Sequence, residues 1–356
     1  MNENENNLKS KNINKKAKKK KRKLNKPILV VLIVFALCVF AIAGVAWYKL
    51  SQIDVQKIDT SALEVNSDLY NDVSDRISKS EFEDIVNIAL FGSDSRDTNN
   101  ASAGRSDCIM IASINPTKKT MKLISIPRDS YVNVPGYGYT KMNHAYAYGY
   151  MYNKGEAAGE QLTIKTINSN FGLNITEYVT IDFSGLINII NSVGGIEMDI
   201  TKAERDVINQ YLVDSYKITG KKYVPMTTYG HVTLNGEQAL AHSRNRYVGS
   251  DFERASRQRE VLMAMMDKLS NMNKSTLMSL VSDSFLSQVK TNVNVTSYIG
   301  LLTDVLKNKE SYLGNIISAQ VPSTEYGYDK YVDGVYHFGF DLELAKEDLY
   351  EYIYEK

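Results

Sequence analysis

The apolar positions of this chain form one long run near the N-terminus and many short runs after it. Residues 28–48 (ILVVLIVFALCVFAIAGVAWY) carry no charge, and at about 1.5 Å per residue a helix of this length reaches across the roughly 30 Å core of a bilayer. Residues 49–84 are polar with scattered apolar positions, which predicts a stalk without a core. We expect the folded domain to comprise residues 85–356.

Strand and helix patterns alternate in this second part. Short apolar runs predict strands that begin at residue 85 and at 108–115, 120–127, 177–182, 196–200 and 316–321. Helical spacing predicts helices at 159–171, 183–192, 276–288 and 295–307, one from residue 251 and a last one from residue 341. The segment VPGYGYTKMNHAYAYGY (134–150) fits neither period and predicts a functional loop. The alternation predicts an α/β domain with helices on both faces of a mixed sheet.

Charge is distributed unevenly along the chain. Residues 1–26 hold 11 Lys or Arg against two Asp or Glu, in a chain whose formal net charge is +1, so residues 27–356 carry −8. Basic flanks stay in the cytoplasm, which predicts a cytoplasmic basic tail (1–26), a transmembrane helix (27–48), an extracellular stalk (49–84) and an extracellular domain (85–356) on a single-pass protein of the cell membrane. A cleaved signal peptide is the alternative, but the apolar run is too long and no small-x-small site follows it.

The run KKAKKKKRK (15–23) has two interpretations. Clustered cations can neutralise nucleic-acid phosphates, but beside a membrane span they favour orientation and contact with anionic lipid. We therefore expect the membrane, and no nucleic acid, as the partner of this segment.

Arginine is concentrated in three short windows, whereas lysine is spread along the chain. Ten Arg follow residue 48, and the windows hold eight of them: Arg96 and Arg105; Arg128; and Arg244, Arg246, Arg254, Arg257 and Arg259. A guanidinium group fits phosphate or carboxylate bidentately, so this pattern in an acidic domain predicts an anion-binding site. Arginines in ordinary surface ion pairs are the alternative.

The helix predicted from residue 251 should turn some of these arginines toward the protein interior. Arg254 and Gln258 are four residues apart and continue the apolar stripe that begins at Val261, and Arg257 lies one turn before it. A helix N-terminus favours an anion, and buried guanidinium groups need partners, so a phosphate at this end would satisfy both.

Two carboxylates are predicted to join the arginines. Asp94 follows one strand and Asp107 precedes the next, so both reach the same sheet edge, as does Arg128. They form plain ion pairs or hold a hard cation; Mg²⁺ is favoured because it completes its shell with phosphate oxygens and water. The four His lack zinc-site spacing, Cys108 opens an apolar strand as core cysteines do, and no nucleophile motif occurs, so covalent catalysis is not indicated.

Seven strings in order from about residue 86 to 266 together resemble the LytR-CpsA-Psr family: GSDSR, RSD, SIPRDSYVNVPGYG, KMNHAYAYG, YVTIDFSGLINIINSVGGIEMDI, TLNGEQALAHSRNR and DFERASRQREV. The resemblance implies a three-layer α/β/α domain around a mixed sheet, with a hydrophobic pocket for a polyprenyl tail. It implies an Mg²⁺-dependent phosphotransferase that moves a glycopolymer, such as teichoic acid or capsule, from an undecaprenyl-pyrophosphate carrier to the C6 hydroxyl of N-acetylmuramic acid in peptidoglycan.

The resemblance also assigns residues. Asp94 and Asp107 resemble the acidic pair that organises Mg²⁺, and with Arg128, Arg244 and Arg246 they are the expected catalytic group. Pyrophosphate binding is expected of Arg96, Arg105, Arg128, Arg244, Arg246, Arg254, Arg257 and Gln258. Some relatives carry another Arg shortly after S-I-P-R-D, where this chain has residues 130–132 (SYV). A pyrophosphatase acting on lipid-linked pyrophosphates and a non-enzymatic envelope regulator are the alternative functions.

Overall fold

Strands occur throughout the described part of the chain and are numbered in chain order. They are β1 (Asp54–Val55), β2 (Val86–Ser93), β3 (Ser106–Asn115), β4 (Thr120–Ser125), β5 (Tyr131–Val134), β6 (Gly138–Lys141), β7 (Glu177–Asp182), β8 (Ile196–Ile200), β9 (Gly230–Leu234), β10 (Val289–Thr291), β11 (Ile317–Gln320), β12 (Gly327–Val332) and β13 (Val335–Phe340). Seven of them form a mixed sheet in the order β1-β10-β7-β2-β3-β4-β11. At its centre, β2 pairs antiparallel with β3 and parallel with β7.

The α-helices between these strands are α1 (Leu69–Val73), α2 (Lys79–Asp84), α3 (Met142–Tyr152), α4 (Glu156–Phe171), α5 (Phe183–Ser192), α6 (Lys202–Thr219), α7 (Gly236–Ser243), α8 (Asp251–Asn271), α9 (Ile299–Lys307), α10 (Lys309–Gly314) and α11 (Leu342–Tyr354). This computed structural model describes residues 54–93, 106–152, 156–220, 222–248, 251–273, 289–314 and 316–354. Those residues belong to one compact unit, Lys49–Lys356.

Several predicted features lie outside the described residues. They are the basic tail (1–26), the transmembrane helix (27–48), the helix at 276–288, and Asp94, Arg96 and Arg105. Within the ranges that the structure does describe, no helix is long and apolar enough to cross a membrane.

Successive residues of the central strands face opposite helical layers, because side chains alternate along a strand. Ala89 and Ile111 belong to a core shared with α3, α4 and α11. Leu90 and Met110 face the other side, where α5, α7 and α8 lie. The prediction of an α/β fold with helices on both faces of a mixed sheet is confirmed.

Helices α5 to α8 pack with the β8–β9 hairpin into a second core. Local sequence fixes where three of them begin. Asp182 accepts a hydrogen bond from the Gly185 backbone as the N-cap of α5, and Thr201 with Glu204 forms a capping box on α6. Asn235 with Gln238 does the same on α7. The helix starts that border the candidate site are therefore set by short-range hydrogen bonds.

The prediction of an irregular loop at 134–150 is wrong. Residues 131–141 form the β5–β6 hairpin, whose turn uses Gly136 and Gly138 at φ +86° and +79°, and residues 142–152 form α3. Met142, Ala145 and Tyr146 are buried, which gives α3 an apolar face of helical spacing despite its many tyrosines.

The expectation that residues 49–84 lack a core is also wrong. Leu63, Leu69, Val73 and Ile77 are all buried, and they join the core formed by α4 and α11. The four-residue spacing of Leu69, Val73 and Ile77 fits one face of a helix, but the many polar residues of the segment favoured an exposed stalk. The core that they join also draws residues from β2, β3, α4 and α11, so it is assembled from segments spread along the chain.

Candidate active site

Asp107 lies near the first residue of β3, at the sheet edge where β2 and β7 end. In the register, Gly92 pairs with both Cys108 and Ile181, and Ser93 pairs with Asp182. A Cβ at Gly92 would lie 2.8 Å from the Cβ of Cys108, so this close approach requires glycine. The sheet thus presents the start of β3 and the ends of two neighbouring strands at one edge.

Two arginines from different segments hold the Asp107 carboxylate. Nη1 of Arg128, in the turn after β4, donates a 3.0 Å hydrogen bond to Oδ1, and Nη2 of Arg246, after α7, lies 3.6 Å from Oδ2. The side chain of Arg246 is 45% exposed and that of Arg128 is 18% exposed. Each guanidinium group therefore contacts a different oxygen of one carboxylate, as expected for charge-assisted pairs.

Arg128 is itself held by a second carboxylate. Its Nε donates a 3.2 Å hydrogen bond to Oδ2 of Asp129, while Nζ of Lys141 donates a 2.6 Å hydrogen bond to Oδ1. The Asp129 side chain is only 8% exposed, which strengthens these contacts relative to surface pairs. Asp107, Arg128, Asp129 and Lys141 form one continuous ion-pair network.

The N-terminal half of α8 reaches the same edge. Arg254 is 4% exposed, and Nε2 of Gln258 donates a 3.4 Å hydrogen bond to the backbone oxygen of Asp107. The prediction that this pair faces inward is confirmed. Arg244 lies against aromatic rings, 5.1 Å from the Phe183 centroid and 5.4 Å from that of Tyr211. Such cation–π contacts attract a guanidinium group to the ring faces and so help to orient it.

The structure does not bring Arg257 into this group. Its Nε donates a 3.1 Å hydrogen bond to Glu204, and its Nη atoms donate to the backbone oxygens of Asn245 and Val248. Burial acts to raise the pKa of Glu204, but hydrogen bonds from Thr201 and Arg257 outweigh it and lower that pKa. Arg257 therefore ties α8 to α6 and to the segment after α7.

A cavity of about 520 Å³ opens from the guanidinium groups into the space between the sheet and α5, α7 and α8. It has two chemically different parts. The polar part contains Asp107, Asp182, Arg244, Arg246, Arg254 and Gln258, and the apolar part contains Leu90, Met110, Val179, Ile181, Leu186, Leu240, Val261, Leu262 and Met265. On both β3 and α8 the polar positions precede the apolar ones along the element. The cavity therefore suits an amphipathic ligand with an anionic head.

Cys108 also lines this cavity, yet its chemistry is that of a core residue. Burial raises the pKa of its thiol to about 12, and the nearby Arg254 only partly offsets this effect. At neutral pH the thiol is protonated and a poor nucleophile.

The model of the LytR_cpsA_psr family matches residues 51–351. The chain belongs to the LytR-CpsA-Psr family. It is 32% identical over 267 residues to the polyisoprenyl-teichoic acid–peptidoglycan teichoic acid transferase TagT of Bacillus subtilis, covering 74% of this chain and 75% of that protein. It is 31% identical over 258 residues to a transferase of the same type, TagU of Oceanobacillus iheyensis, covering 72% and 71%.

Solved structures of this family share the fold. A structure described as TagT bound to LIIa-WTA has a TM-score of 0.58 and 30% identity, covering 76% of this chain and 91% of that one. A TagT structure with bound octaprenyl pyrophosphate lipid has a TM-score of 0.54 and 29% identity, over the same shares. One protein with this fold, TagT, therefore binds a polyprenyl pyrophosphate.

Sequence reasoning missed several residues that surround the candidate site. Asp182 and Phe183 were placed correctly at a strand-to-helix junction, but nothing marked them as lining a cavity. Lys141 lay within the segment predicted to be a loop, and Tyr211 comes from α6, which was not predicted. The Asp129 that follows Arg128 was the one local signal for the ion-pair network.

The residues present are compatible with a divalent cation, although among the described residues no group of three or more His, Cys, Asp or Glu could hold one. Mg²⁺ requires few protein oxygens and retains water and phosphate ligands. Asp107 supplies one carboxylate at the edge where β2 leads directly into the segment that carries Asp94. A site completed by a pyrophosphate would therefore fit here.

Proposed function

We propose that this protein transfers a glycopolymer from a polyprenyl pyrophosphate carrier to peptidoglycan. One observation carries the proposal: an apolar cavity of about 520 Å³ ends at Asp107, Arg244, Arg246 and Arg254. Apolar walls suit a prenyl chain, and the guanidinium groups suit two phosphates. The activity in the names of TagT and TagU, and the octaprenyl pyrophosphate bound by TagT, support it.

The reaction is a direct displacement at the phosphorus next to the sugar. An acceptor hydroxyl, which we take to be the C6 hydroxyl of N-acetylmuramic acid, forms the new P–O bond. The P–O bond to the bridging oxygen breaks, and undecaprenyl monophosphate leaves. The products are a phosphodiester between polymer and peptidoglycan and a prenyl phosphate.

The arginines stabilise the charge that develops on the phosphates. Arg244 and Arg246 lie at the polar end of the cavity, and Arg254 approaches from the N-terminal half of α8. Cations that are already fixed in a partly buried site do not have to move as the transition state forms. Their stabilisation of that state is among the largest contributions to the rate. Arg128 holds Asp107 in position.

Asp107 and Asp94 would hold a Mg²⁺ ion, which when bound neutralises phosphate oxygens. One of these carboxylates takes the proton of the acceptor hydroxyl. The protonated Cys108 contributes no covalent intermediate.

We also propose that residues 27–48 anchor the protein, with the basic tail in the cytoplasm and the folded part outside. A prenyl carrier is confined to the bilayer, so an anchored domain samples the surface at which the carrier's head group lies. The domain then reaches the peptidoglycan beyond that surface.

The test uses the full chain in detergent micelles, a polyprenyl-pyrophosphate-linked polymer and glycan strands of peptidoglycan. Mass spectrometry should show strands that have gained the polymer through one phosphodiester. Polymer that ends in a phosphate monoester, with unmodified strands, would instead show a pyrophosphatase.

A further inference from the structure

Asp107 borders a second, smaller cavity on the opposite face of β3 from the large one. Side chains alternate along β3, so Cys108 and Met110 point into the large cavity while Asp107 shares its face with Ile109. The second cavity has a volume of about 30 Å³ and contains Arg128 and Asp129. That volume admits a group of hydroxyl size.

The two cavities share Asp107, Arg254 and Gln258 as lining residues. An in-line displacement at phosphorus needs the attacking oxygen on the side opposite the leaving oxygen. If the prenyl phosphate leaves toward the large apolar cavity, the acceptor hydroxyl approaches from the side of the small one.

The β5–β6 and β12–β13 hairpins stand at this small cavity. Tyr336 and Phe338 of β13 line it, and Phe338 donates a 2.8 Å backbone hydrogen bond to the Asp129 oxygen. Lys141 of β6 reaches the Asp129 carboxylate. Both hairpins are therefore fixed to the residue next to Arg128.

The β12–β13 hairpin has tyrosines on both faces: Tyr331 pairs with Tyr336 on the face that borders the small cavity, whereas Lys330 and His337 pair on the opposite face, where Tyr131 lies. We call the first pair, Tyr331 and Tyr336, the tyrosine face. Tyr131 stacks on Tyr139 with centroids 5.4 Å apart, and Tyr331 lies 5.8 Å from Tyr336. Nζ of Lys330 lies 4.5 Å above the Tyr131 ring. Tyr331 is 67% exposed, so a large ring surface faces solvent next to the cavity-lining Tyr336.

We infer that the tyrosine face binds the glycan strand of the acceptor, an inference that rests on the proposed function. Pyranose rings present C–H groups on their faces and hydroxyls at their edges, which matches the apolar face and polar tip of tyrosine. Lys141, whose Nζ lies 5.8 Å from the Tyr336 ring centroid, adds a donor for sugar hydroxyls. A strand lying on this face would insert one hydroxyl toward Asp107 through the small cavity.

The test compares three double variants of the full chain. Tyr331→Ala with Tyr336→Ala removes both rings of the tyrosine face, and the same positions changed to Phe keep the rings. The matched control, Tyr216→Ala with Tyr229→Ala, removes tyrosines that are 47% and 57% exposed and do not line either cavity. Co-sedimentation with purified glycan strands measures binding directly, and the transfer assay gives KM for each substrate.

We expect the Ala pair on the tyrosine face to weaken strand binding and raise the acceptor KM about tenfold, because two ring contacts are lost. The donor KM of this variant should stay within about twofold of wild type. The Phe pair and the control pair should keep both strand binding and the acceptor KM within the same range. Unchanged strand binding would overturn the inference whether or not transfer occurs. The inference would also be overturned if the Ala pair lost binding to phosphatidylglycerol vesicles but kept strand binding, because the tyrosine face would then be a membrane contact. Failure of the wild type to form polymer-linked strands would instead contradict the proposed function.

Discussion

Arg128 positions Asp107 through a 3.0 Å hydrogen bond between Nη1 and Oδ1. The same guanidinium group holds Asp129 through Nε, so its planar fork bridges two carboxylates at once. A lysine ammonium is a point charge on a flexible stem and does not reproduce that geometry.

We therefore predict that Arg128→Lys lowers kcat/KM for transfer roughly 10- to 100-fold, because Asp107 loses its fixed orientation. The thermal midpoint should change little. Arg205→Lys is the matched control, since Arg205 pairs with Asp206 away from both cavities. Equal activity of Arg128→Lys and the control would contradict a positioning role for Arg128.

Arg257 is predicted to stabilise the fold rather than bind substrate. Its side chain is 7% exposed and its partner Glu204 is 14% exposed, and breaking a buried pair costs about 3 kcal/mol. Arg257→Ala should lower the free energy of unfolding in urea by this amount and leave the donor KM unchanged below the melting transition.

Arg246→Ala should have the opposite effect from Arg257→Ala, because Arg246 is 45% exposed and lies beside Asp107. It should raise the donor KM with a stability change below about 1 kcal/mol. If Arg257→Ala weakens donor binding at full stability, Arg257 belongs to the site after all.

Filling the apolar cavity should discriminate between long and short donors. Leu262 lines the cavity, so Leu262→Trp removes space that a prenyl chain would occupy. Each excluded methylene costs about 0.8 kcal/mol, so about two of them weaken binding tenfold. Calorimetric titration should show this loss for a long polyprenyl pyrophosphate and no loss for a two-isoprene analogue.

Asp267→Trp, on the exposed side of the same helix, is the control for this substitution. An equal loss for both donor lengths in Leu262→Trp would mean that the large cavity does not hold the chain.

Because of Cys108, the free energy of unfolding should decrease as the pH rises into the alkaline range. Its thiol has a pKa of about 12 in the folded protein and an ordinary value of 9.0. The unfolded chain loses this proton first as the pH rises, so the contribution to stability is complete below pH 9 and is lost between pH 9 and 12. Between pH 8 and pH 10 the free energy of unfolding should fall by about 1 kcal/mol more in wild type than in Cys108→Ser.

Thiol-specific alkylation offers an independent check. Folded protein should react slowly at pH 8, because about one molecule in ten thousand carries the thiolate. Rapid alkylation at Cys108 in the folded protein at that pH, distinguished from Cys38 by peptide mass spectrometry, would contradict the protonated state.

The parts of the fold that sequence reasoning predicted well are those encoded by local signals. Residues 177–182, 183–192 and 196–200 are a strand, a helix and a strand as predicted. Asp182 caps the helix, and Gly194 and Gly195 adopt φ values of +79° and +89° after it. These signals act within a few residues and are visible in the chain.

The sequence was less informative for positions whose environment is set by distant partners. Leu63 and Val73 belong to a core with α4 and α11, and the local sequence does not specify those partners. Arg254 and Arg257 are three residues apart on α8, yet one lines the cavity and the other pairs with Glu204. The β12–β13 hairpin was missed although Asp333-Gly334 between alternating residues is a hairpin signal.

The central claim is that the group around Asp107 transfers a phosphoryl-linked polymer rather than hydrolysing its carrier. Phosphorus NMR of the reaction of full-length protein with a lipid-linked donor and glycan strands tests it most directly. Wild type should convert the pyrophosphate into equal amounts of phosphodiester and prenyl monophosphate, and Asp107→Asn should slow this at least about 100-fold with an unchanged melting temperature. A phosphomonoester without any phosphodiester, or full activity of Asp107→Asn, would contradict the account.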